Sequence, residues 1–119
     1  MNIKIIEQLK DQISEKFIQG MVDRMFTSYY RYGAIQDGFP HKVDAIGCLH
    51  MRLKKYEETG NTEWLMDVAN FAMIEFILPK HSKAHFRPTE SGESPGVVQN
   101  DGIIFKSREE KFSYKREGD

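Results

Sequence analysis

A chain of 119 residues can bury one ordinary core and is too short for two, and its 39% hydrophobic and 29% charged content is that of a globular protein. The formal net charge of −1 supplies no overall attraction for nucleic acid or an anionic membrane, so any polyanion site has to be local. The lone cysteine, Cys48, excludes an intramolecular disulfide framework and fits a reducing compartment. Charge at Lys4 and Glu7 interrupts the N-terminal apolar residues, and no later apolar run approaches the roughly 20 residues of a membrane span. The expectation is a soluble cytoplasmic protein, with neither a signal peptide nor a membrane helix and no membrane partner.

From Asn2 to about Tyr30 the residues Ile6, Leu9, Ile13, Phe17, Met21 and Met25 keep the three-to-four spacing of an amphipathic helix, as one long helix or two short ones. Gly20 is the expected weak point, because glycine inside a helix costs on the order of 1 kcal/mol relative to alanine. Gly33 stops the pattern, and residues 33–40, with Asp37-Gly38 and Phe39-Pro40, read as a connecting loop. A second helix is predicted over residues 42–58, with Val43, Ile46, Leu49, Leu53 and Tyr56 on its buried side, His50 near that stripe and Gly60 as its stop. Asn61 or Thr62 can cap a third helix that Pro79 closes, with Glu63 favourably placed in its first turn.

Joined by so short a turn, the second and third helices predict an antiparallel hairpin at the centre of a small helical bundle. Beyond Asp67 the third helix is apolar nearly all round, which makes it the central helix. The expected core is Leu49, Leu53, Trp64, Leu65, Val68, Phe71, Ala72 and Phe76. After Pro79 the composition turns irregular, and Val97-Val98-Gln99 and Ile103-Ile104-Phe105 flank Asn100-Asp101-Gly102 as a short β-hairpin with a three-residue turn. The fold class is therefore mainly α, with residues 1–105 as a single helical domain that includes the C-terminal loop and hairpin. Residues 106–119 form a charged tail, solvated or docked.

Two segments could carry chemistry. On the third helix Glu63, Asp67 and Asn70 share one narrow polar strip, while Glu75 lies on the side of Trp64, Val68 and Phe71. Buried carboxylates need partners. These are either an arginine such as Arg24, Arg31 or Arg52, with Glu75 also able to reach solvent, or a divalent cation held by Glu63 and Asp67. The second segment, residues 79–89, gathers Lys80, His81, Lys83, His85, Phe86 and Arg87. Lys80, Lys83 and Arg87 could pair with phosphate oxygens, His81 and His85 could donate hydrogen bonds, and Phe86 offers a face for a base. A solvated basic loop at a helix end is the plainer alternative. His81 and His85 match only the outer half of a zinc motif. Cys48 and the Tyr29-Tyr30-Arg31-Tyr32 run read as packing residues.

The stretch from Arg52 to Phe76, with Thr59-Gly60-Asn61-Thr62-Glu63-Trp64-Leu65-Met66-Asp67 at its heart, resembles a family of small uncharacterised proteins carried by bacteriophages and prophages. His85-Phe86-Arg87 and Ser94-Pro95-Gly96 extend the likeness, which spans about residues 21–97. It implies a phage gene product acting in the bacterial host, without implying a mechanism. The chain is also distantly similar to the MazG-type all-α nucleotide pyrophosphohydrolases, whose helical bundles bind magnesium through acidic motifs on two helices. That similarity implies Glu63 and Asp67 as metal ligands. Those enzymes space the pair more closely, and the second helix here offers Asp44, Glu57 and Glu58 in place of two glutamates one turn apart.

Three functions are open at this point. The first, preferred for its basic and aromatic loop, is non-catalytic binding of a phosphorylated, nucleotide-like ligand by Lys83, His85, Phe86, Arg87 and His81, with no cofactor, as in anti-defence proteins that sequester signalling nucleotides. The second is a magnesium-dependent hydrolase using Glu63 and Asp67, and the third an inhibitor or adaptor that binds a host protein. A homo-oligomer is expected; nothing argues strongly for nucleic acid.

Overall fold

The computed structural model describes residues 3–105, and for positions 3, 5 and 6 the backbone alone. The charged tail 106–119 lies outside the described residues. The protein is mainly helical, a small bundle followed by a two-stranded antiparallel hairpin. No described helix is long and apolar enough to cross a membrane. The chain divides into two compact units, Met1–Ala84 and His85–Asp119, a boundary inside the span that the sequence reads as one domain.

The first amphipathic stretch forms two helices, α1 (Ile3–Gln8) and α2 (Glu15–Tyr32). The break comes at Ser14, whose hydroxyl accepts a hydrogen bond from the Phe17 N–H at 3.0 Å and so caps α2. Gly20, the expected weak point, lies inside an unbroken α2. A Cβ there would run into the thioether of Met66, so the glycine lets α2 lie close to a later helix. The backbone weakness is offset by tertiary packing. Residues 33–40 are not wholly loop, since α3 (Ile35–Gly38) adds one helical turn.

Helix α4 (Ala45–Thr59) starts later than expected because Asp44 is its cap, accepting from the Gly47 N–H at 3.1 Å. Asp44 is held below the ordinary carboxylate range, first by that hydrogen bond and further by the charge of Lys80, whose Nζ stands 3.8 Å away. The helix ends at Gly60 in the left-handed region (φ 73°), with its N–H donating to the Tyr56 carbonyl at 2.7 Å. Helix α5 (Glu63–Ile77) follows at once, and of the two expected caps Asn61 serves: its Oδ1 accepts from the Glu63 N–H at 3.1 Å. Before Pro79, Leu78 leaves the helical region.

Helix α5 is central, packed along α4 as the other arm of the hairpin and also against α2. Among the described apolar residues only Ala45 and Ile74 are buried. Leu49, Leu53, Trp64, Leu65, Val68 and Phe71 are half-buried, whereas Ala72 and Phe76 of the expected core are exposed, Phe76 at 74%. The reason is angular: at about 100° per residue, both point away from the Asn70 and Ile74 side that meets the neighbouring helices. On α4 the inward stripe is Ala45, Leu49, Arg52 and Tyr56. Val43 and Ile46, expected inside, lie off that stripe and are exposed, and so is His50.

In the second unit β1 (Val97–Val98) pairs with β2 (Ile104–Phe105), Val97 opposite Phe105 and Val98 opposite Ile104. The Gln99 N–H donates to the Ile103 carbonyl at 2.9 Å, so residues 100–102 form the three-residue turn, closed by Gly102 at φ 89°.

Gly60 has nothing within 4 Å of an added Cβ, so its substitution isolates the backbone term. Gly60→Ala should lower stability by about 1 kcal/mol, the lower end of the left-handed penalty, and Gly60→Asn by less. Denaturant titration checks this; equal midpoints for all three proteins would contradict the cap.

Candidate functional site

The polar strip of α5 faces α2. Arg24 lays its fork along Asp67, Nε to Oδ1 at 2.5 Å and Nη2 to Oδ2 at 2.9 Å, while Nη1 reaches Glu63 Oε1 at 2.7 Å. All three ends of the guanidinium are engaged, and the hydrogen bond to Asp67 is the main cause that raises the Arg24 pKa above its ordinary value. One turn on, Asn70 is buried and its Nδ2 donates to the Met21 carbonyl at 3.0 Å. Arg52, from α4, comes within 3.8 Å of Asp67 Oδ2 and lies over the Phe71 ring at 5.1 Å. Asp67 thus joins α2, α4 and α5 through two arginines, and Glu63 adds a second tie to α2.

Of the three arginines that could have paired with this strip, Arg24 does so directly and Arg52 at longer range. Arg31 stands exposed at the end of α2. Glu75 takes a separate course: Oε2 accepts from the Lys80 N–H at 2.8 Å, tying down the chain beyond Pro79, and Oε1 is buried without a hydrogen-bond partner. Among the described residues no three His, Cys, Asp or Glu side chains gather as a metal-binding group. Glu63 and Asp67 do not fit magnesium in this arrangement, because a guanidinium already stands where the cation would be held.

The basic segment divides between the two units. Lys80, His81 and Lys83 belong to the first, and His85, Phe86 and Arg87 to the second, all of them exposed. His81 Nδ1 accepts from the Lys83 N–H at 3.0 Å, which leaves Nε2 as its donor. In the second unit the Arg87 fork closes on Glu93, Nη1 to Oε1 at 3.0 Å and Nη2 to Oε2 at 2.6 Å. Glu93 also accepts from the Glu90 N–H at 3.2 Å in a capping box around the short helix Ser91–Glu93. Hydrogen bonding to Arg87, then to Glu90, holds Glu93 below its ordinary pKa of 4.5.

Glu93 is the partner that sequence reasoning missed. Its signal was the spacing Glu90-Ser91-Gly92-Glu93, an acidic side chain three residues after a potential cap. Set against known proteins, the chain matches no family model, no curated protein and no solved structure.

If Arg24 and Asp67 form a structural bridge, Arg24→Ala and Asp67→Ala should each cost about 1–2 kcal/mol of stability, with a coupling of about 1 kcal/mol in the double mutant. A double-mutant cycle by denaturant unfolding measures this. Strict additivity, or a magnesium-dependent rise in melting temperature abolished by Asp67→Ala, would refute the bridge.

Proposed function

We propose that this protein acts by binding another protein, as an adaptor or inhibitor, and not by turning over a substrate. The observation that carries this reading is the exposed apolar end of the α4–α5 hairpin. There, where Lys80 approaches Asp44, Val43, Ile46 and Ile77 stand 37%, 40% and 49% exposed. Apolar side chains left in water at one end of a helix pair, beside a charged pair, suit contact with another protein. The groups that could do chemistry point the same way, since Arg24 closes the acidic pair and Glu93 closes the Arg87 fork. The resemblance to phage-borne proteins makes a bacterial host protein the natural partner.

A photo-cross-linker placed at Ile77 tests this in bacterial cytosol, followed by calorimetry with the purified partner. One host protein should be captured, and Ile46→Asp should weaken its binding tenfold or more, about 1.4 kcal/mol. Diffuse labelling that Ile46→Asp leaves unchanged would contradict the reading.

A second reading is favoured by one observation: the Arg87 fork is 58% exposed and already planar on a carboxylate, the geometry in which arginine grips phosphate. In this reading a phosphorylated ligand displaces Glu93 within the second unit, with His85 in support. Because Arg87 depresses the Glu93 pKa, the pairing is present above the ordinary 4.5 and is lost as pH falls through the lower folded value. A nucleoside triphosphate that takes Arg87 should therefore raise the Glu93 titration midpoint measured by NMR, and Arg87→Lys should abolish the response. A midpoint indifferent to the nucleotide would remove this reading.

A further inference from the structure

Helix α2 has two apolar faces. One carries Phe17, Gly20, Met21 and Arg24 and meets α5, as the Gly20–Met66, Met21–Asn70 and Arg24–Asp67 contacts show. The opposite face carries Val22, Phe26, Tyr29 and Tyr30, which are 56%, 63%, 60% and 74% exposed. Phe26 and Tyr30 meet edge to face with ring centroids 4.9 Å apart, and Tyr30 meets Tyr29 at 6.1 Å, so the rings form one continuous patch. Solvation of a helix end explains a single tyrosine but not a phenylalanine and a valine on the same stripe. A helix with an apolar stripe on each side is a helix covered on each side.

We infer that this stripe is covered by α2 of a second copy of the chain, packed antiparallel about a two-fold axis that passes beside Phe26. The spacing is self-complementary. Val22 and Tyr30 stand four residues before and after Phe26, so antiparallel packing sets Phe26 against its own counterpart and Val22 against Tyr30. A two-fold interface also brings each charge toward its own image, and the stripe carries no charged side chain at neutral pH. The nearest acid, Asp23, lies on the same flank of α2 as Tyr30, and the two-fold axis brings it toward the Tyr30 hydroxyl of the other copy, which can donate to it. With about 150–250 Å² for a buried aromatic, the exposed part of the four residues amounts to on the order of 500 Å² per copy. Complete burial of these side chains in two copies would remove at most roughly 1,000 Å² from water, which reaches the lower limit for specific association. The inference stands apart from the proposed function, which uses the other end of the α4–α5 hairpin.

A residue beside a two-fold axis pairs with itself, so a single cysteine there cross-links the dimer. In a Cys48→Ser background, Phe26→Cys should give a disulfide-linked dimer on mild oxidation, while Thr27→Cys, also exposed but one position round the helix, should form little covalent dimer although it still associates. Light scattering on the native chain should return twice its mass. Phe26→Asp should return one mass with unchanged helical circular dichroism, because Phe26 is exposed within its own chain, and should leave binding of any host partner through Ile46 and Ile77 intact. A native chain that stays monomeric at high concentration would overturn the inference. So would equal cross-linking from positions 26 and 27, or a dimer that survives Phe26→Asp.

Discussion

The bundle depends on one arginine. Arg24 projects from α2 and binds both carboxylates of the α5 strip. Arg52 reaches the same Asp67 from α4. The strip that makes α5 amphipathic over its first half is thus the surface on which the other helices are registered. Burying part of a carboxylate beside a guanidinium adds modestly to net stability but specifies position, since any slip of α2 along α5 would strand Asp67 without a partner. Gly20 and Asn70 serve the same placement, one by leaving room for Met66 and the other by reaching the α2 backbone.

Among the described residues few apolar side chains are closed off from solvent. Ala45 and Ile74 are buried, while phenylalanine, tyrosine, isoleucine and valine side chains lie open on α2 and at the end of the α4–α5 hairpin. Apolar area left in water contributes nothing to stability and invites association. The two open regions differ in kind. The α2 stripe is neutral and self-matching, suited to a copy of itself, whereas the hairpin end sits beside the Asp44–Lys80 pair and has no such internal symmetry.

Much of this fold was legible in the residues, for identifiable reasons. Helix α5 and the Gly60 stop follow from periodicity and from glycine's tolerance of positive φ, both local properties. The hairpin at residues 97–105 follows from a turn dipeptide between apolar triplets. The break before α2 was misplaced because glycine propensity pointed to Gly20, whereas a Ser14 cap and a tertiary contact with Met66 decided the outcome. Ala72 and Phe76 were assigned to the core because they are apolar on a central helix, and which of its sides would be covered is a tertiary fact that periodicity does not carry. The acidic strip was read as needing a partner, and Arg24 was one of the candidates. Glu93, which takes up the guanidinium of Arg87, was legible only as a capping signal.

The central claim is that the helical unit is a surface made to be covered, with its own second copy as the first cover. Thermal unfolding of the native chain at two protein concentrations, about a hundredfold apart, tests it most directly, because stability borrowed from association varies with concentration by mass action. The account predicts a melting temperature that rises with concentration in the native chain and stays constant in Phe26→Asp. A melting temperature independent of concentration would contradict it.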